Sequence, residues 1–509
     1  MQKLIFVVFL VLMPAIDADA QLSDAIRIET GLISGYGAAD AELRVFRGIP
    51  YAAPPVGALR WHAPHPADAW SGVRPADAFG PTCMQDPPPP GSFYQVEFFE
   101  DLEPMSEDCL YLNLWTAASS ADERRPVMMW IHGGAFRQGS GSMPSFDGTT
   151  LAEKGVVLVT INYRLGVFGL MAHPDLTEET LHSASGNYGL LDQIAALQWI
   201  RRNISAFGGD PSNVTVFGQS SGAASVNQLM ASPLADGLFH KAVLQSGSAF
   251  AFDESPSLEA AEQTGFEFAA SLGASSIYAL RALPADTIHA RGRGIGFSPN
   301  VDGYVLEDPV RMVFREGRQA AVPVLAGSTS DEGTPMFGPG LTADVYREMS
   351  VRNYGDDVEK YLSLYPADSD EQAGRSFSDA FSDRLAWGAH TLARLHDRDD
   401  VFLYLFSRIP PGRDPDRYRA YHSAELVYVF DALEGVDRPW TPVDRQIADR
   451  MSSYWATFAA TGNPNGTGSS EWPVYDPATR IGMEIGDEIR PVVLLDREVI
   501  DFYDERAQR

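Results

Sequence analysis

The chain has 509 residues, 45% of them hydrophobic and 21% charged, an ordinary globular composition with ample apolar material for a large core. Its formal net charge of −29 repels phosphates and anionic head groups, which argues against nucleic acid or an acidic membrane surface as a partner. No Pro/Gly/Ser linker, charge block or internal repeat divides it, and the Pro87–Pro90 run only interrupts a loop. Residues 21–509 are therefore expected to form one domain.

The first element in chain order is a secretory signal over residues 1–20. Lys3 supplies the positive start, Leu4–Met13 is an unbroken apolar run, and Ala18-Asp19-Ala20 is a small-x-small cleavage site. The run is shorter than the roughly 20 apolar residues that span a bilayer, and no later segment is long and apolar enough. The expectation is cleavage after Ala20 and export, secreted or periplasmic, without a membrane anchor. Cys83 and Cys109 are the chain's two cysteines; in an exported protein an even count favours a disulfide over two buried free thiols. Closing that loop would stabilise the fold by roughly 3–4 kcal/mol on the chain-entropy model. Two isolated sulfurs without nearby histidines do not make a metal site.

Short apolar runs then recur, each ending in a loop or helix signal: Val127–Ile131, Val156–Asn162, Val214–Phe217, Ala242–Gln245, Val322–Ala326 and Val401–Phe406. Apolar residues at every position, rather than at alternate ones, predict strands of a sheet covered on both faces. Leu190–Asn203 has a helical apolar stripe of Leu191, Ile194, Leu197 and Trp199-Ile200. Strands alternating with helices predict an α/β fold, with a large, mainly parallel central sheet and helices on both faces. Residues 255–320 and 340–400 read as helical excursions beside the sheet's loop face.

Gly218-Gln219-Ser220-Ser221-Gly222 fits G-x-S-x-G directly after one of these strands, with the small-residue helix start Ala223-Ala224-Ser225 behind it. A sharp strand-to-helix turn lifts a serine hydroxyl above the sheet, and flanking glycines leave room for the turn. Such a nucleophile needs donors for a developing oxyanion. His132-Gly133-Gly134-Ala135-Phe136 follows another strand, and the N–H groups of Gly134 and Ala135, with that of Ser221, are the candidates. In chain order the acid follows the serine and the histidine follows the acid. Asp331 and Glu332 both lie in the loop after Val322–Ala326. Of His390, His396 and His422, the first two fall in a helical pattern, whereas His422 lies in a loop-like segment after Val401–Phe406. Ser220, a carboxylate and His422 would together cleave an ester through a covalent acyl-enzyme, with no metal or organic cofactor.

Several ordered blocks carry a resemblance: Phe46-Arg47-Gly48-Ile49-Pro50-Tyr51-Ala52, Ser106-Glu107-Asp108-Cys109-Leu110-Tyr111-Leu112-Asn113, Gly186-Asn187-Tyr188-Gly189-Leu190-Leu191-Asp192-Gln193 and Phe207-Gly208-Gly209-Asp210-Pro211. With them, nearly the whole mature chain resembles the type-B carboxylesterase family, which includes the cholinesterases. The resemblance implies the α/β-hydrolase fold, a small-molecule ester as substrate and Glu332 as the acid, because the carboxylate immediately precedes Gly333. It also implies that Cys83 and Cys109 close a surface loop at the rim of the site, and that Ser246 stands behind the triad. Three positions depart from the family pattern. Gln219 stands where Glu is usual, which removes one negative charge. Ser221 stands where Ala is usual. The loop between the cysteines has no Trp to hold a quaternary ammonium, with Tyr94, Phe98 and Phe99 the weaker substitutes. These argue against a dedicated choline esterase. A specialist for a bulky or polycarboxylic ester is the enzymatic alternative, and Phe250 and Phe252 are candidates for shaping an acyl pocket. A non-catalytic binding protein on the same fold would be expected to lose a triad member, and this chain keeps all three.

Overall fold

The computed structural model describes residues 25–36, 42–99, 102–251, 255–334, 341–466 and 470–507; the expected signal segment lies outside them. Ten strands build the central sheet: Arg44–Pro50 (β1), Tyr111–Thr116 (β2), Arg125–Ile131 (β3), Val157–Ile161 (β4), Gly209–Gln219 (β5), Lys241–Gln245 (β6), Val324–Thr329 (β7), Val401–Phe406 (β8), Ile481–Ile485 (β9) and Ile489–Val493 (β10). Their spatial order is β10-β9-β8-β7-β6-β5-β3-β4-β2-β1. All pairings from β4 across to β9 are parallel, while β1, β2 and β10 pair antiparallel at the two edges.

The apolar strands are explained by what covers them. Along β3, Val127, Met129 and Ile131 join the core on one face, and Met128 and Trp130 join the core on the other. The same alternation runs through β6 to β8: Ala242, Leu244, Val324, Ala326 and Leu403 on the first face, Val243, Leu325 and Phe402 on the second. Successive side chains of a strand point to opposite faces, so a sheet buried on both needs apolar residues at every position. The first face is packed by helices Tyr188–Asn203 and Ser221–Ala231, the second by Pro442–Thr461 with Met451, Trp455 and Phe458 inward.

Strand β7 runs further than the sequence reading, through Gly327, Ser328 and Thr329, because these stay in register with Tyr404, Leu405 and Phe406 of β8. The excursions are helical. Residues 255–320 include Leu258–Ser271, Ile277–Arg281, Ala285–Gly292 and Val310–Arg315; residues 340–400 include Ala343–Tyr354, Val358–Leu364 and the long Asp370–Leu395. Register holds the strand ends level: Gly218 faces Ile131, Gln219 faces Gln245, Gln245 faces Gly327 and Thr329 faces Phe406. The loops after β3, β5, β6, β7 and β8 therefore leave the same edge of the sheet, where parallel α/β folds build their sites. Among the described residues no helix is long and apolar enough to cross a membrane.

Candidate active site

Ser220 sits between the end of β5 and helix Ser221–Ala231 with φ 56° and ψ −124°, a strained conformation for a residue with a side chain. The surroundings hold it there. Its N–H donates to the Gln245 carbonyl at 2.9 Å, and its own carbonyl accepts from Ala224 N–H at 3.0 Å. Gly222 is required at the turn, since a Cβ there would lie 2.1 Å from the Ile131 carbonyl oxygen.

The loop after β3 turns back across this elbow through left-handed residues, Gly134 (φ 109°), Ala135 (φ 56°) and Phe136 (φ 58°). Among the described residues, no hydrogen bond uses the N–H groups of Gly134, Ala135 or Ser221. The Ser221 hydroxyl accepts from Phe136 N–H at 3.2 Å, so the side chain that departs from the family pattern fastens the two loops together. His132 is buried beneath, its ring 4.5 Å from that of Tyr163, and burial lowers its pKa to about 4.

Glu332, in the loop after β7, meets His422, in the loop after the neighbouring parallel strand β8. Glu332 Oε2 lies 2.5 Å from His422 Nδ1, Oε1 accepts Thr329 N–H at 2.7 Å, and the Glu332 N–H donates to Ser382 Oγ at 2.9 Å. Glu332 is fully buried, so its charge is felt by the imidazole with little screening by water. Asp331, the other candidate acid, turns outward to pair with Arg419 and to accept from the Ser330 hydroxyl at 2.5 Å. His390 is a packing residue against the Tyr475 hydroxyl, and His396 lies within hydrogen-bonding distance, 2.8 Å, of the Val322 carbonyl. Gln219 Nε2 lies 3.0 Å from His422 Nε2.

Two groups behind the site gave only partial signals in the sequence. Ser246 is completely buried with φ 48°, and its hydroxyl has no partner among the described residues. Glu425, three residues after His422, is fully buried; burial first, and then the nearby Glu332 charge, pushes its carboxyl up to about 7. The His-x-x-Glu spacing is the signal that could have found it.

Cys83 and Cys109 form a disulfide, 26 positions apart, around the short helix Phe93–Phe98. That helix is pinned to the His422 segment. Tyr94 donates to the His422 carbonyl at 3.3 Å, and Arg438 bridges the Glu97 carboxylate at 2.5 Å and the Tyr421 hydroxyl at 3.0 Å. Tyr94, Phe98 and Phe99, with Met143, Phe146 and Leu426, wall a cavity of about 160 Å³ above Ser220 and His422. Among the described residues no Asp, Glu, Lys or Arg lines it. Phe250 is not on this wall; it is a core residue whose ring meets Phe314 edge-on at 5.3 Å. Phe252 lies outside the described residues.

A parallel sheet with a serine on a strand-to-helix elbow, and a histidine and carboxylate on the following strand-end loops, defines the α/β-hydrolase class. The carboxylesterase family model matches residues 23–502, and the chain belongs to that family: it is a carboxylic ester hydrolase. It is 35% identical over 484 residues to the "Fumonisin B1 esterase" of Sphingopyxis macrogoltabida, covering 91% of this chain and 86% of the relative. It is 36% identical over 480 residues to the "Para-nitrobenzyl esterase" of Bacillus subtilis, covering 89% and 93%. A solved structure of a PNB esterase superimposes with a TM-score of 0.82 at 34% identity, over 94% of this chain and 99% of that one.

Proposed function

We propose that Ser220, His422 and Glu332 are the catalytic triad of an exported serine carboxylesterase that acts on uncharged esters with a ring-sized group. The observation that carries this reading is the 2.5 Å contact of buried Glu332 with His422 Nδ1 beside the strained Ser220 elbow. His422 takes the Ser220 proton through Nε2 as Ser220 Oγ attacks the ester carbonyl. The tetrahedral oxyanion is received by the N–H groups of Gly134, Ala135 and Ser221. Collapse expels the alcohol, protonated by His422, and leaves an acyl-enzyme; water activated by His422 then releases the acid and restores Ser220. Glu332 fixes the tautomer and stabilises the imidazolium.

The cavity supports the substrate class. Its volume, about 160 Å³, is close to that of the roughly 150 Å³ apolar cavities known to take up benzene. Tyr94, Phe98, Phe99, Met143, Phe146 and Leu426 supply an apolar wall, and among the described residues no carboxylate lines it to select a cation. Export draws support from the apolar Leu4–Met13 run before Ala18-Asp19-Ala20 and from the disulfide.

The test is covalent labelling by an aryl phosphonate ester. Wild type should be labelled at Ser220 and lose activity, and Ser220→Ala should take no label; full labelling of that variant rejects the reading. N-terminal sequencing of exported protein should begin at Gln21. A second reading, an esterase dedicated to one ester, is favoured by the likeness to the Fumonisin B1 esterase. A kcat/KM panel of aryl esters of rising acyl length, with a choline ester and a polycarboxylic ester added, separates the two: a generalist gives a flat profile over short acyl chains.

A further inference from the structure

Gln219 is the last residue of β5 and is 3% exposed, so its side chain has few places to go. Its amide Nε2 lies 3.0 Å from His422 Nε2, while Glu332 Oε2 lies 2.5 Å from Nδ1 on the far side of the ring. The imidazole is bracketed. An ionised carboxylate only accepts, so in a neutral ring Nδ1 carries the proton and Nε2 presents its lone pair. The Gln219 amide is then the donor to Nε2. Among the described residues no hydrogen bond joins Ser220 Oγ to His422, whose ring nitrogens are taken by Glu332 and Gln219.

We propose that Gln219 is a positioning residue that keeps the base of the triad unprotonated in the free enzyme and reverses its amide once the base holds the Ser220 proton. The inference rests on the triad reading above. An amide carries a donor and an acceptor on one broad, two-fold torsion. With Nε2 unprotonated, the NH2 group donates to it; after proton transfer, the turned amide presents Oε1 to accept from Nε2–H. Only the Ser220 proton changes owner. The amide oxygen faces Gly133, where a Cβ would stand 2.8 Å from Oε1, so a glycine at that position leaves the space in which the amide sits. A carboxylate at 219 could only accept. It would pair with the imidazolium and hold a proton on the base as the pH falls, at the expense of the form that attacks.

The other titratable groups around His422 are Glu332 from the loop after β7, Glu425 and Tyr421 from its own segment, Tyr94 from the disulfide loop and Tyr404 from β8. Arg438, beyond Tyr421, is committed to Glu97. All of these are common to wild type and to variants at 219, so a difference between Gln and Glu isolates that side chain.

The experiment compares wild type, Gln219→Glu and Gln219→Met by the pH profile of kcat/KM for a neutral aryl ester, with Ser220→Ala as control. An opposite charge beside an ionisable group shifts its titration by about 1–3 pH units. The acid limb of Gln219→Glu should therefore move up by about one pH unit or more, and that of Gln219→Met by less. A Gln219→Glu limb that superimposes on wild type, with Ser220→Ala inactive, overturns the role of Gln219 and leaves the triad standing. An active Ser220→Ala overturns the triad instead. Should a variant fail to fold, 15N-histidine NMR of wild type reads the same point, the His422 signals being assigned by their loss in His422→Gln. Nδ1 should be protonated and Nε2 bare at neutral pH; a proton on Nε2 overturns the proposal.

Discussion

Ser221 Oγ accepts the Phe136 N–H at 3.2 Å, and this hydrogen bond fastens the glycine-rich loop after β3 to the turn that carries Ser220. The donors of the proposed oxyanion hole come from both of these loops, so their separation depends on the fastening. A preorganised donor contributes only if it is already in place when charge develops.

Ser221→Ala keeps the backbone N–H and removes the fastening. A hydrogen bond of this kind contributes about 0.5–1.5 kcal/mol net. The variant should lose that much stability in urea unfolding, with kcat lowered about 3- to 10-fold. An unchanged kcat would mean that the loop holds its place without the side chain.

The two adjacent acids should separate cleanly. Glu332→Gln keeps the size but removes the charge that orders the tautomer, and kcat should fall on the order of 10⁴-fold, as for other triad acids. Asp331→Asn removes the charge paired with half-exposed Arg419 but keeps an acceptor for the Ser330 hydroxyl and touches no triad residue, so kcat/KM should stay within about 3-fold of wild type. Steady-state kinetics on both variants checks the assignment; the opposite ranking would make Asp331 the acid.

Glu425 makes stability pH-dependent with a defined sign. Its folded pKa, about 7, lies above the ordinary glutamate value of 4.5, so between those values the folded chain holds more proton than the unfolded one. The stabilising contribution is full below about pH 4.5 and is lost as the pH rises through about 7. Glu425→Gln should remove this decline and stabilise the protein at about pH 8, on the order of 1–3 kcal/mol relative to wild type at that pH. Unfolding curves at about pH 5 and 8 measure it; an equal slope in both proteins refutes it.

The disulfide should matter twice. Cys83→Ser with Cys109→Ser releases the loop of 26 positions and should cost roughly 3–4 kcal/mol of stability. Helix Phe93–Phe98 forms one wall of the Ser220 cavity, so KM for an aryl ester should rise more than kcat falls. Equal KM would show that the Tyr94, Glu97 and Arg438 contacts hold the helix alone.

What the chain determines by itself is local. An apolar strand, a G-x-S-x-G turn and a small-residue helix are written in contiguous residues, 214–225, and need no distant partner to be recognised. The parallel sheet was legible from strands apolar at every position, each of which has to satisfy two cores. The outer strands Arg44–Pro50, Tyr111–Thr116, Ile481–Ile485 and Ile489–Val493 are not among the runs that the apolar pattern picks out. β10 alone has no buried residue, so it lacks the apolar continuity of the central strands. In the loop after β7, Asp331 and Glu332 are adjacent carboxylates that local pattern does not distinguish. Only the fold turns one side chain inward to His422 and its neighbour outward to Arg419. The Gln219–His422 contact spans 203 positions and the Ser221–Phe136 contact 85. Such pairs are decided by strand order and register, which bring together the ends of strands far apart in the chain and leave no periodic or compositional trace in it.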